Sequence, residues 1–182
     1  MKISKTAFIA LASLALSTAA FAETRFTGNL VAPAGTTVRS GTSPVMIHID
    51  HYSEQADIER LAGVLKQKGP NALRDALWDR EVGYIRIGGG LGYPIAAARS
   101  RRADDGGQII RMMIDRPISQ AEVINNSRTV DYPFSYIEIK LNAKGKGEGQ
   151  FYQAARVSMT GDTLNVENYS PQPLKLLAVQ EQ

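Results

Sequence analysis

Arginine side chains form the densest group of residues with binding chemistry in this chain. Arg99, Arg101 and Arg102 lie close together, and Arg86 and Arg111 lie on strands that we expect nearby. Residues two apart on a strand share a face, so Arg99 and Arg101 can bind one carboxylate or phosphate through paired hydrogen bonds. The alternative interpretation is a solvated edge strand, whose charges discourage aggregation between sheets.

A glycine-rich loop precedes these arginines, and Tyr93 and Pro94 follow it. A phosphate-binding loop leads from a strand into a helix, whereas this loop leads into another strand, so the pattern predicts no nucleotide site. It indicates either a tightly bent connection or a loop whose backbone contacts a ligand. The residues that we select as candidate ligand-binding residues are Arg99, Arg101, Tyr93, Gly88, Gly89, Gly90 and Gly92.

Histidine chemistry is restricted to His48 and His51, the two histidines of the chain. With Asp50 they form an H-x-D-H spacing, which two histidines cannot extend into a site made of several imidazoles. On a strand, His48 and Asp50 share one face and His51 points to the other. We therefore expect polar residues at the surface or at the edge of a pocket here and no resident metal or cofactor, with a weak metal or catalytic role as the alternative.

Signatures of covalent catalysis are absent from the sequence. It contains no G-x-S-x-G motif, no Ser-x-x-Lys pair and no cysteine. Two carboxylate pairs, Asp79 with Glu81 and Asp115 with Glu138, leave a glycan hydrolase open, because such enzymes use two carboxylates across a cleft. We assign no catalytic residue and expect a protein that is not an enzyme.

Aromatic residues also cluster, with Tyr132, Phe134 and Tyr136 around Pro133. They are able to line a groove for a sugar or peptide, but such residues more often pack into a core. Trp78, the single tryptophan, is interpreted in the same way as a residue that fills the core.

Alternating apolar and polar residues dominate the chain after the N-terminal segment and predict nine strands. Short connections between most of them favour antiparallel pairing. The predicted strands are Arg25–Val31, Val45–Tyr52, Val82–Ile87, Ile95–Ala103, Gln108–Asp115, Phe134–Asn142, Gln150–Thr160, Asp162–Tyr169 and Leu174–Val179.

A change to helical periodicity separates the second and third of these strands. Ser53 is a candidate cap for a helix that ends near Gly69 and Pro70, and a second helix runs from about Asn71 to Trp78. A capping box predicts a further short helix at Gln120–Asn125. The predicted fold class is α+β and predominantly antiparallel β, a curved sheet, sandwich or barrel, with a helical hairpin packed on one face or end.

The N-terminus is typical of a secretory signal peptide. Lys2 and Lys5 precede an uncharged segment from Thr6 to Ala22 that ends in small residues, with cleavage predicted after Ala22. A retained membrane anchor is the alternative. We expect residues 1–22 to be the leader and residues 23–182 to form a single β-rich globular domain in the periplasm or outside the cell, with no transmembrane segment after cleavage.

Composition excludes several classes of protein. The chain has 182 residues, is 43% apolar and lacks cysteine, which excludes a disordered tail, a disulfide scaffold and a cysteine-ligated metal site. Lys and Arg number 21 against 18 Asp and Glu, and two of the lysines lie in the leader. The remaining chain is almost neutral, so we do not expect a nucleic-acid partner.

Three segments, Asp115–Ser119, Asp131–Tyr136 and Lys144–Gly149, resemble sequences of uncharacterised exported bacterial proteins. The resemblance covers the C-terminal half of the chain. It implies no activity and carries over no functional residue.

The function expected from these features is an exported, non-enzymatic domain that binds a small ligand or another envelope protein. The alternatives are a carboxylate-dependent hydrolase that acts on cell-wall or other glycans, and a structural envelope protein without a small ligand. A cavity lined by apolar side chains would favour binding of a small ligand. Two carboxylates in an open cleft would favour the hydrolase, and a broad exposed apolar patch would favour binding of a protein partner.

Overall fold

A computed structural model of the chain describes residues 23–32, 41–118 and 131–182. The predicted leader and the predicted helix at Gln120–Asn125 lie outside the described residues. Across the described ranges, no helix combines the length and the apolar character that crossing a membrane requires.

Ten antiparallel strands form one sheet in the described part of the chain. In sheet order they run β4-β3-β2-β1-β10-β8-β7-β6-β5, and β9 pairs with β8. The strands are β1 Thr24–Val31, β2 Thr42–Ile49, β3 Gly83–Ile87, β4 Tyr93–Ile95, β5 Ala97–Arg102, β6 Gln108–Ile114, β7 Phe134–Leu141, β8 Lys146–Thr160, β9 Thr163–Asn168 and β10 Leu174–Glu181.

The sheet nearly closes into a barrel at Ala96. This residue alone separates β4 from β5, although the two strands stand at opposite ends of the hydrogen-bonded order. The amide of Val82 donates to the carbonyl of Ile95 at 2.8 Å, and the amide of Ala96 donates to the carbonyl of Met113 at 2.9 Å. One continuous stretch of chain therefore bonds to β3 on one side and to β6 on the other.

Apolar side chains from the inward face of this sheet fill its interior. Their alternation along each strand is the period-two pattern expected for a sheet with one buried face. Fully buried members include Phe26, Ile47, Ile85, Ile110, Ile137 and Phe151. The inward face is consequently a packed core, and polar groups point to the outer face.

A helix, α1 (Gln55–Leu77), covers part of the outer face. The sequence predicts two helices, and the structure has one helical element with a break at Gly69, whose φ of 84° lies in the left-handed region that favours glycine. Pro70 follows, where it needs no helical hydrogen bond for its missing N–H. Four buried leucines, Leu61, Leu65, Leu73 and Leu77, form a second apolar cluster with outward side chains of β5, β7 and β8.

The predicted fold class is confirmed, since antiparallel strands dominate and a helical element packs on the sheet.

Trp78 differs from expectation: it is 67% exposed, because the helix ends at Leu77 and the buried leucine precedes it. Strand β8 also begins at Lys146, earlier than predicted. Gly147 lies inside this strand, and its position requires glycine because a Cβ there would lie 1.8 Å from the Lys140 carbonyl oxygen.

Polar contacts hold the start of α1 over β5. Ser53 does not cap the helix; its hydroxyl accepts the amide hydrogen of Ala98 at 3.2 Å. Asp57 accepts hydrogen bonds from Arg60, at 2.8 Å, and from Arg80. Burial acts to raise the pKa of Asp57, but the two guanidinium groups outweigh it, and the pKa lies below its ordinary value.

The burial of Leu77 beside the exposed Trp78 gives a matched pair of variants. We expect Leu77→Ala to lower the free energy of unfolding by about 2–5 kcal/mol, because it opens a cavity between helix and sheet. Trp78→Ala should change it by less than about 1 kcal/mol, because most of that side chain already contacts water. Urea denaturation of both variants measures this, and equal losses would contradict the packing described for α1.

The ion pairs of Asp57 predict a pH-dependent contribution to stability. Because the folded-state pKa lies below the ordinary value, the contribution is complete above the unfolded-state pKa and is lost as the pH falls through the folded-state pKa. Asp57→Asn should therefore be about 1 kcal/mol less stable than the native chain at neutral pH, and this difference should vanish in acid. Thermal unfolding at a series of pH values measures it, with Asp75→Asn, an exposed site on the same helix, as the control. A difference that persists unchanged at low pH would refute the assignment.

Candidate functional site

A groove lies between α1 and the outer face of the sheet, and the β8–β9 hairpin closes one side of it. Its volume is about 460 Å³, within the roughly 300–1,000 Å³ that is usual for small-molecule sites. The helix contributes Ile58, Leu61, Ala62 and Leu65. The sheet and the hairpin contribute Ala97, Ile109, Met113, Tyr136, Met159 and Leu164.

The outward residues of β5 and β6 change in character along the groove. Ala97 pairs with Met113 across the two strands, Arg99 pairs with Arg111, and Arg101 pairs with Ile109. Outward residues recur at every second position of a strand. The apolar pair next to Ala96, Ala97 with Met113, is therefore followed by the pair of arginines, Arg99 with Arg111. Arg99, Arg101 and Arg111 all line the groove. The groove is therefore amphiphilic, with apolar walls and a cationic side.

Glu138 binds two of the cations on this face, Arg111 and Lys140. The Arg111 Nε donates to Glu138 Oε2 at 2.8 Å, and Lys140 Nζ lies 3.5 Å from the other oxygen of the same carboxylate. Arg99 and Arg101 are exposed, and the side chain of neither forms a hydrogen bond or ion pair with any residue that the structure describes. They remain available to an external anion.

Among the described residues, the other polar side chains that line the groove are those of Tyr136, Asp162 and Thr163. Burial raises the pKa of the Tyr136 phenol, so this hydroxyl stays protonated at neutral pH. Its ring meets that of Tyr152 edge to face, with centroids 5.7 Å apart. Asp162 lies in the turn between β8 and β9, with Lys66 of α1 at 3.9 Å.

The structure brings two of the predicted ligand-binding residues, Arg99 and Arg101, to this groove. It places the glycine loop elsewhere: Gly88, Gly89, Gly90 and Gly92 form the exposed turn between β3 and β4. Tyr93 packs against the inner core, and the guanidinium of Arg116 lies 6.0 Å from its ring centroid. None of these five lines the groove, and their part in binding stays a prediction.

Sequence reasoning missed the apolar walls. The apolar stripe of the first predicted helix, Ile58, Leu61, Ala62 and Leu65, is interpreted from the sequence only as packing on the sheet, and Leu61 and Leu65 are indeed buried there. Ile58 and Ala62 of the same stripe are only half-buried and open into the groove. No signal in the sequence separates these two residues from the buried leucines, because the extent to which the sheet covers the helix depends on contacts between distant segments.

The aromatic cluster divides between two places. Phe134 is fully buried against α1, as expected for a core residue, and Tyr136 lines the groove. Tyr132 donates a hydrogen bond to Glu167 on β9 at 2.7 Å and packs edge to face on Tyr169.

His48 lies in a polar network on the outer face of β1, β2 and β3. Its Nε2 is 2.7 Å from Asp50 Oδ1 and 3.2 Å from Glu23 Oε1, while Arg25 Nε donates to its Nδ1 at 3.2 Å. Because Nδ1 accepts, the proton of the neutral ring is assigned to Nε2. The ring stacks on Tyr84 at 5.0 Å. Both nitrogens are thus engaged within the protein.

Metal and paired-carboxylate chemistry find no geometric support in the described ranges. No group of three or more His, Cys, Asp or Glu residues there is arranged to hold a metal ion. Of the predicted carboxylate pairs, neither Asp79 with Glu81 nor Asp115 with Glu138 lines the groove, and Glu138 is engaged by Arg111 and Lys140.

Comparison with known proteins returns no match for this chain, whether to protein-family models, to curated proteins or to solved structures.

Proposed function

We propose that this chain is an exported, non-enzymatic binding domain that takes a small apolar molecule between α1 and the sheet. The observation that carries the proposal is the groove of about 460 Å³ whose walls are mainly apolar. Export is proposed on the N-terminal leader pattern, and the binding domain comprises the chain from residue 23 onward.

Half-buried apolar side chains supply the driving force for binding. Ile58, Ala62, Met113, Met159 and Leu164 each keep part of their surface exposed while lining the groove. A ligand that covers this surface removes it from water, at a gain of roughly 25 cal/mol for each Å² of apolar area. Because residues of the helix and of the sheet are both involved, the ligand contacts two rigid elements at once.

The groups in the groove favour binding over hydrolysis. Among described residues, Asp162 is the single carboxylate that lines it, whereas glycoside hydrolysis uses a facing pair. Tyr136 holds its proton at neutral pH, and arginine does not exchange protons in this range. Such a set can hold a ligand but offers no acid and base pair.

A large side chain placed in the groove should weaken ligand binding without unfolding the protein. Ala62→Trp places a large side chain between helix and sheet, and we expect the affinity for decan-1-ol to fall at least about 10-fold, because the ligand and the indole compete for one volume. Ala56→Trp makes the same change at an exposed position of the same helix and should leave the affinity unchanged. Isothermal titration calorimetry measures both.

Circular dichroism and the melting temperature establish that the variants remain folded. Absence of decan-1-ol binding by the native chain, or equal binding by a folded Ala62→Trp variant, would overturn the proposal that this groove is the site.

A further inference from the structure

We propose that the ligand of the groove is a single-chain amphiphile with an anionic head group, a carboxylate or a phosphate, held by Arg99 and Arg101. The inference rests on the proposed function, since it assumes that the groove binds an apolar body. It adds the charge of the ligand and its direction in the groove.

Two unpaired cations beside an apolar wall are the first argument. Arg99 and Arg101 occupy the next two outward positions of β5 after Ala97. Within the described residues neither guanidinium has an acid or a hydrogen-bond partner. A guanidinium offers parallel N–H groups that match the two oxygens of a carboxylate or phosphate.

Repulsion across the strands is the second argument. Arg99 stands directly opposite Arg111 in the register of β5 and β6, and like charges in that arrangement destabilise a sheet. Glu138 relieves only part of this repulsion, because it lies on β7, on the side of Arg111 away from Arg99, and is shared by Arg111 and Lys140. An anion placed between Arg99 and Arg101 would counter the remaining charge.

The distribution of polarity along the groove is the third argument. The arginines belong to β5 and β6, whereas Leu65 and Leu164 line the walls formed by the helix and the hairpin. Asp162, the acid of the groove, sits at the hairpin turn beside Lys66. A ligand with one charged end and one apolar chain fits this gradient, and the volume of about 460 Å³ suits one chain rather than several.

Three probes that share one alkyl chain separate the head group from the body: decanoate, decyl phosphate and decan-1-ol. Titration calorimetry should show at least one anion binding the native chain about 10-fold or more tightly than the alcohol, because hydrogen bonds to charged groups are the stronger kind. Added salt should weaken anion binding and leave alcohol binding unchanged. Whichever of the two anions binds more tightly identifies the chemistry of the head group.

Matched variants assign the effect to the two arginines. Arg99→Gln with Arg101→Gln should remove the preference for the anion while decan-1-ol binds as before. Arg102→Gln, at the next position of β5, should keep the preference, since Arg102 is exposed and does not line the groove.

Methionine methyl signals place the ligand independently of affinity. In protein carrying ¹³C-labelled methionine methyl groups, those of Met113 and Met159 should shift on ligand addition, because both residues line the groove. Met46, exposed on β2, should not shift. Shifts at Met46 alone would place the ligand elsewhere and overturn the inference.

The outcomes distinguish this inference from the proposed function. If decan-1-ol does not bind the native chain, the proposed function fails, whatever the two anions do. If decan-1-ol binds in the groove as tightly as both anions, the proposed function stands and the anionic head group is refuted. An anion preference that survives loss of both arginines, or that Arg102→Gln removes equally, refutes their assignment.

Discussion

The backbone hydrogen bonds on either side of Ala96 determine which surfaces of this protein are available for binding. Val82 bonds to Ile95 on one side, and Ala96 bonds to Met113 on the other. These bonds join the two ends of the strand order and give the sheet an inside and an outside. Because the inside is filled by fully buried residues such as Phe26, Ile110 and Phe151, the outer face carries the groove.

Ala96 also sets which side chains of the next strand face outward. Ile95 belongs to the inner core, yet Ala96 and Ala97 both belong to the outer cluster, so the strict alternation is interrupted at this point. From Ala97 onward alternate residues face outward, which brings Arg99 and Arg101 to the groove. Without this interruption a strand continuing from Ile95 would direct Ala97, Arg99 and Arg101 inward.

The sequence predicts the elements more reliably than the surfaces between them. Period-two patterning along residues such as Ile110, Met112 and Ile114 sufficed to predict strands that face a core, and the spacing of Arg99 and Arg101 sufficed to place them on one face. The groove was not predictable, because it arises where α1 and the β8–β9 hairpin cover the sheet incompletely, which depends on contacts between distant segments. Trp78 shows the same limit. It is exposed although it follows the buried Leu77, and nothing about a tryptophan side chain predicts that exposure.

Two arginine-containing faces of the same sheet differ in how their charges are satisfied. On the β1–β3 face, Arg25 contacts Glu23 and His48, and Arg86 lies over the ring of Tyr84 at 5.1 Å. On the groove side, Arg99 stands opposite Arg111, and its guanidinium has no acid or hydrogen-bond partner in the described part of the chain. The proposed binding role of the groove side rests on this difference, whereas the groups around His48 are satisfied within the protein.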